Sequence, residues 1–148
     1  MKKIYIGADS AGYVLKGQII DHLTSKGYEV VDCGCDSEAS CHYPEFASKV
    51  CTSVLGDDAY GILVCGTGIG MSMCANKYNG IRAAVCSDTY SAKMTRCHND
   101  ANLLCLGARV IGYCLALDIV DSFLSAEYEG GRHAIRVGMM EEIEKSQK

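Results

Sequence analysis

The sequence predicts one α/β domain spanning residues 1–148, a three-layer sandwich in which five parallel strands form a single open sheet with helices on both faces. Three observations predict it. Short runs rich in branched apolar residues alternate five times with longer stretches whose apolar residues recur every three to four positions. A chain of 148 residues makes one domain with a substantial core, and no linker or internal repeat divides it. The central run, Tyr60 to Cys65, passes straight into alternating glycines, as a strand buried on both faces does when it turns sharply into a helix.

In chain order, Lys3–Gly7 reads as the first strand. Tyr13, Val14, Leu15, Ile19, Ile20 and Leu23 mark the apolar face of the helix after it, which Gly27 ends. Tyr28–Asp32 is the second strand, followed by a polar loop to Tyr43-Pro44, where the only proline fits a helix's first turn. Phe46, Ala47, Val50, Val54 and Leu55 give that helix its apolar stripe. After the third strand a helix is expected to start near Gly70; Gly80–Cys86 is the fourth strand, and Asp88 caps a helix running toward Asp100. Leu103–Gly107 is the fifth strand, Gly112–Leu124 an amphipathic helix, and Arg132–Lys145 a last, more polar one beyond Glu129-Gly130-Gly131. The arrangement is Rossmann-like, and in such sheets ligands lie at the strands' carboxyl ends.

The turn Gly66-Thr67-Gly68-Ile69-Gly70 can point several amides at one spot, which suits an anion, and a helix starting there adds partial positive charge. Cys65 sits beside it. Three readings of this stretch compete: a core cysteine before a tight turn, a dinucleotide fingerprint, and a reactive thiol beside an anion cradle. The Gly-x-Gly-x-Gly spacing departs from the dinucleotide pattern, and Met71 stands where a cysteine phosphatase loop needs arginine. Along the same edge come Asp9 and Ser10, Tyr43 and Arg109, while the place of His98 and Asn99 depends on how their helix ends. Singly each has an ordinary reading: Asp9 as an N-cap, His98 as a cation at a helix C-terminus, Arg132 and Arg136 as a solvated face. Together they offer a thiol, an imidazole, a carboxylate, an anion cradle and guanidiniums with the fork that fits phosphate.

Net charge of −4 with interleaved signs leaves no footprint for nucleic acid. No apolar run reaches membrane-spanning length and the N-terminus enters a strand at once, which points to a cytoplasmic protein. The ten cysteines, among them Cys51, Cys74, Cys86, Cys105 and Cys114, fall mostly on apolar faces and read as buried free thiols in a reducing compartment. Cys33, Cys35, Cys41 and His42 form a cluster with ligand-like spacing but no C-x-x-C pair, so a variable loop that happens to carry thiols is the simpler account.

The segments Gly7-Ala8-Asp9, Tyr43-Pro44, Cys65 to Ser72, Ala75-Asn76-Lys77, Gly80 to Ala83, His98-Asn99-Asp100, Gly107 to Val110 and Tyr128 to His133 run in order from one end of the chain to the other. Together they resemble the ribose-5-phosphate isomerase B family, which also includes the galactose-6-phosphate isomerase subunits. The resemblance implies an aldose–ketose isomerase without cofactor or metal, acting on a sugar phosphate. It implies a homodimer with shared active sites, with tetramers open, in which the helix from about residue 132 completes the partner's site. Ribose 5-phosphate and ribulose 5-phosphate are the implied pair, and a hexose 6-phosphate of allose or galactose is the alternative.

By the same resemblance Cys65 is the base that moves a proton between C1 and C2 through an enediolate. Gly66, Gly68, Ile69 and Gly70 surround the oxygen that becomes negative, with Thr67 bonding the substrate. His98 opens the furanose ring, Asp9 contacts hydroxyls or assists at the ring oxygen, and Asn99 holds a substrate oxygen. Tyr43 and His133 line the site, and Arg109, Arg132 and Arg136 hold the phosphate. The family usually has histidine after the first aspartate; Ser10 here can hydrogen-bond but carries no charge near neutrality. His42 replaces a usual aspartate before Tyr43. A non-catalytic domain holding a nucleotide or sugar phosphate would also account for the glycines and arginines, but gives Cys65 and His98 no reason to converge.

Overall fold

The computed structural model describes residues 1–147. Its elements are β1 (Ile4–Ala8), a 3₁₀ turn (Ser10–Gly12), α1 (Tyr13–Ser25), β2 (Val30–Asp32), α2 (Tyr43–Asp57), β3 (Tyr60–Cys65), α3 (Ile69–Ala75), β4 (Ala83–Val85), α4 (Thr89–Asn99), β5 (Leu103–Gly107), α5 (Tyr113–Ser125) and α6 (Arg132–Ser146). The sheet is wholly parallel in the order β2-β1-β3-β5-β4. From β1 the chain goes outward to β2 and then returns to the other side of β1, so the switch point where such sheets bind ligands falls between the ends of β1 and β3.

The period of two along β3 and β5 sorts their side chains. Ile62, Val64, Leu104 and Leu106 join Leu15, Ile19 and Leu23 of α1 and Ala116, Ile119, Val120 and Phe123 of α5 in one buried cluster. Leu63, Cys65, Leu103 and Cys105 face the other way, onto Phe46, Val50, Cys51 and Val54 of α2 and Met71 and Ala75 of α3. Cys65 therefore looks toward the α2–α3 layer.

Both edge strands are shorter than the sequence pattern suggests, for local reasons. The Tyr28 amide donates to Leu23 O, finishing α1 instead of extending β2. Before β4, Gly80 turns at φ +91° and the Arg82 amide donates to the Asn102 side chain. Asp88 caps α4 as expected, its Oδ1 accepting from the Ser91 amide at 2.6 Å. Cys114, expected on an apolar face, lies exposed in the first turn of α5.

Candidate active site

Three turns meet at the carboxyl edge of β1, β3 and β5. Gly12, in the turn after β1, leaves no room for a side chain, since a Cβ there would lie 2.5 Å from Val64 O. Gly107 is equally closed, 2.6 Å from Thr67 O. The glycines thus let three backbone segments press together. Cys65 ends β3 at 5% exposure, and its Sγ accepts a hydrogen bond from the Gly68 amide at 3.1 Å. Gly68 aims that amide backward by taking φ +80°.

Beyond it, the Ile69 amide donates to Thr67 Oγ1 at 3.2 Å, and Ser72 N reaches Gly68 O. The amides of Gly70 and Met71, the other donors of the first turn, are unpaired among the described residues. With seven residues α3 is too short for a full macrodipole, so these local donors make the cradle instead of the helix as a whole. The Tyr43 ring lies over Gly70, where a Cβ would stand 2.8 Å from its Cε1 and Cζ. Arg109 donates its amide to Gly66 O at 3.0 Å and lays its guanidinium alongside, with Nη1 3.4 Å from where a Gly66 Cβ would be. Asp9 uses Oδ1 to cap the turn, accepting from Gly12 N at 3.1 Å, and Ser10 follows it, partly exposed.

His98 and Asn99 lie at the opposite edge. Helix α4 runs back against the strands, so its last turn sits beside their amino ends: Asn102 O accepts from Gly61 N at 2.9 Å, and Arg82 Nε donates to the carbonyls of Asn99 and Asp100 at 3.1 Å each. Asp100 ends α4 in the left-handed region at φ +49°, its carboxylate held by Arg82 and Arg96 at 2.9 Å each. That clamp positions the His98 turn. The Glu129 amide bonds Cys97 O at 3.0 Å and brings the α6 entry alongside. There the His98 and His133 rings stack at 4.2 Å with 11° between planes. Burial, then His98 and Arg132, holds the His133 imidazole below its usual pKa range. Arg132 and Arg136 open α6 on the same side.

One chain thus unites Asp9, Ser10, Tyr43, Cys65, the Gly66–Gly70 turn and Arg109, and separately His98, Asn99, Arg132, His133 and Arg136. It does not bring the two groups together. The thiols of Cys33, Cys35 and Cys41 are free, and with His42 they form no set of three converging ligands among the described residues. A cavity at the amino edge lined by Tyr60, Arg82, Arg96, Asp100 and Asn102 offers little to an anion, because its guanidiniums already hold Asp100 and backbone carbonyls.

Two features escaped the sequence reading. Lys16, 2% exposed, reaches both oxygens of Asp32 at 2.7 and 2.8 Å, and Asp32 Oδ1 accepts from Gly34 N, fixing the start of the loop that leads to Tyr43. Its place in an apolar stripe was the only signal. Glu129 stands near both imidazoles; its spacing of four from His133 was visible, but a glycine-rich break does not advertise a shared face.

The comparisons with known proteins fit this frame. The model of the Ribose/Galactose Isomerase family matches residues 4–140. The chain is 51% identical to ribose-5-phosphate isomerase B of Escherichia coli over 97% of each chain. The structure of ribose-5-phosphate isomerase B from Clostridium thermocellum superposes with a TM-score of 0.97 at 54% identity, covering 99% of both chains. That of the Mycoplasma genitalium protein with bound ribulose-5-phosphate gives 0.94 at 40% identity, covering 98% and 97%. Matched this closely from end to end, the chain belongs to the ribose/galactose isomerase family.

Proposed function

We propose that the protein interconverts ribose 5-phosphate and ribulose 5-phosphate, as a homodimer in which two chains share each active site. The observation that carries this reading is the Cys65 sulfur beneath a turn whose Gly70 and Met71 amides are free to donate. Isomerisation removes a weakly acidic proton beside a carbonyl, and the charge that develops on oxygen dominates the barrier. A preorganised donor aimed at that oxygen is worth about 3 to 4 kcal/mol. Cys65 takes the proton from C2 and returns it to C1. The Thr67 hydroxyl, accepting from Ile69, keeps its own hydrogen for the substrate.

His98 of the second copy opens the ring and its Asn99 holds a sugar oxygen, while Arg109, Arg132 and Arg136 grip the phosphate and so fix which carbon faces the sulfur. Asp9 keeps one carboxylate oxygen for the sugar hydroxyls. Ser10 adds a neutral hydrogen bond where the family usually has histidine. A second chain is required because the imidazole and the sulfur occupy opposite edges of one sheet. α6 offers it an apolar surface: Ile135, Met139, Met140 and Ile143 are 69%, 62%, 43% and 62% exposed. The free thiols suit a reducing compartment, and we place the protein in the cytoplasm. No helix among the described residues is long and apolar enough to cross a membrane.

The test is to incubate the chain with ribose 5-phosphate and follow ketose formation with chelator present, beside allose and galactose 6-phosphates. Ketose from the pentose with chelator present is the expected result. Turnover of a hexose phosphate alone would move the substrate assignment, and binding without turnover of any of the three would leave a sugar-phosphate binder.

A further inference from the structure

We propose that His98, Glu129 and His133 form a site for a divalent metal ion of the zinc class, occupied reversibly and switching the enzyme off. Two imidazoles and a carboxylate are a donor set such ions favour. Their ligand atoms all lie within 4.8 Å of one another. Glu129 Oε1 stands 3.5 Å from His133 Nε2 and 3.8 Å from His98 Nε2. A carboxylate that merely paired with an imidazole would close to about 2.7–3.2 Å. Ligands about 2.0–2.2 Å from a tetrahedral ion instead stand roughly 3.3–3.6 Å apart. The shorter separation already matches the second spacing and the longer exceeds it, so an ion would draw Glu129 and His98 inward and turn the two stacked rings out of parallel toward a common point.

A separate observation points the same way: His133 is 92% buried, and its Nε2 has no hydrogen-bond partner. A buried nitrogen in that state calls for a partner, and a metal ion beside Glu129 and His98 would supply one. The backbone prepares the arrangement. Gly130 and Gly131 take φ of +66° and +55°, turning the chain so that Glu129 and His133 face one point, and the Glu129 amide bond to Cys97 O holds that point beside His98. Arg132 and Arg136 stand close by and oppose a cation, which makes binding reversible by chelator.

The switch itself rests on the reading of His98 as the ring-opening group, since an ion on its ring withdraws the nitrogen that reaction needs. The test uses the full chain and Zn²⁺ as probe, by calorimetry and by isomerase assay, on wild type, Glu129→Gln, His133→Asn and a Cys35→Ser/Cys41→Ser double variant, with circular dichroism to check folding. One ion per chain is expected. Affinity should fall at least about tenfold in Glu129→Gln and in His133→Asn and stay unchanged in the cysteine variant. Glu129→Gln should keep its basal turnover yet need about tenfold more Zn²⁺ for half-inhibition. Absence of binding, binding indifferent to both ligand variants, or binding lost with the cysteines would overturn the site. Zn²⁺ binding that depends on Glu129 but leaves turnover untouched would uphold the site and remove His98 from ring opening.

Discussion

The two edges of this sheet are built on opposite principles. At the carboxyl edge the working parts are backbone: glycines packed so closely that a Cβ would stand 2.5–2.6 Å from neighbouring carbonyl oxygens fix the amides before any ligand arrives. At the amino edge they are side chains, two imidazoles and a carboxylate separated by gaps no hydrogen bond closes. In the proposed reaction the first supplies donors for charge on oxygen and the second supplies the imidazole for ring opening. The difference teaches why the proposed chemistry needs two chains: one sheet cannot present both edges to one sugar.

The largest expected effect comes from removing the proposed base. Cys65→Ala should lower turnover of ribose 5-phosphate by about 100- to 10,000-fold with binding and folding retained. Near-normal turnover would remove Cys65 from its role. Cys105 is the control, because burial holds its thiol well above its usual range, as burial lifts Cys51 to about 12 and Cys86 to about 11. Cys105→Ala should touch stability only.

The comparison sharpens when each edge is broken in a different chain. Cys65→Ala and His98→Ala should each be nearly inactive, yet mixing equal amounts under subunit exchange should restore roughly a quarter of wild-type activity, since half the dimers are mixed and each holds one intact site. A mixture as inactive as its parts would show that both groups serve a site within one chain.

The apolar runs of β3 and β5, the cap at Asp88 and the proline opening α2 were legible in the sequence, because each is a local preference that tertiary packing did not overrule. Edge-strand lengths were not. Tyr28 and Arg82 found hydrogen-bond partners in a helix end and a side chain, choices that depend on neighbours distant in sequence. Cys65 and its glycines could be read together because they are contiguous. The gap between His98 and Cys65 follows from the direction of α4, and the meeting of Glu129, His98 and His133 from a loop closed by one backbone bond to Cys97.

A smaller contrast sets glycine against glycine. Gly68→Ala forces a Cβ to 2.8 Å from Val85 and 3.0 Å from the Leu106 backbone at φ +80°, and should cost about 2 kcal/mol or more with a fall in turnover. Gly138, inside α6, would meet nothing within 4 Å, so Gly138→Ala should raise stability by about 0.5–1 kcal/mol. Thermal midpoints of the two variants check both signs.

The smallest effect concerns acid. His133 has its pKa lowered from 6.5 by burial, by the facing His98 and by Arg132, with Arg136 adding to this and Glu129 opposing it. Below about pH 6.5 the unfolded chain binds a proton that the folded chain refuses until a lower pH, so the unfolded state holds more protons in that window. Stability must therefore fall as pH drops through 6.5 toward the folded value, and be fully present above it. Urea midpoints at about pH 5.5 and 7.5 measure the slope, and His133→Asn should flatten it. A slope unchanged in that variant would assign the acid sensitivity to other groups and leave the stacked imidazoles at the amino edge without a titratable strain.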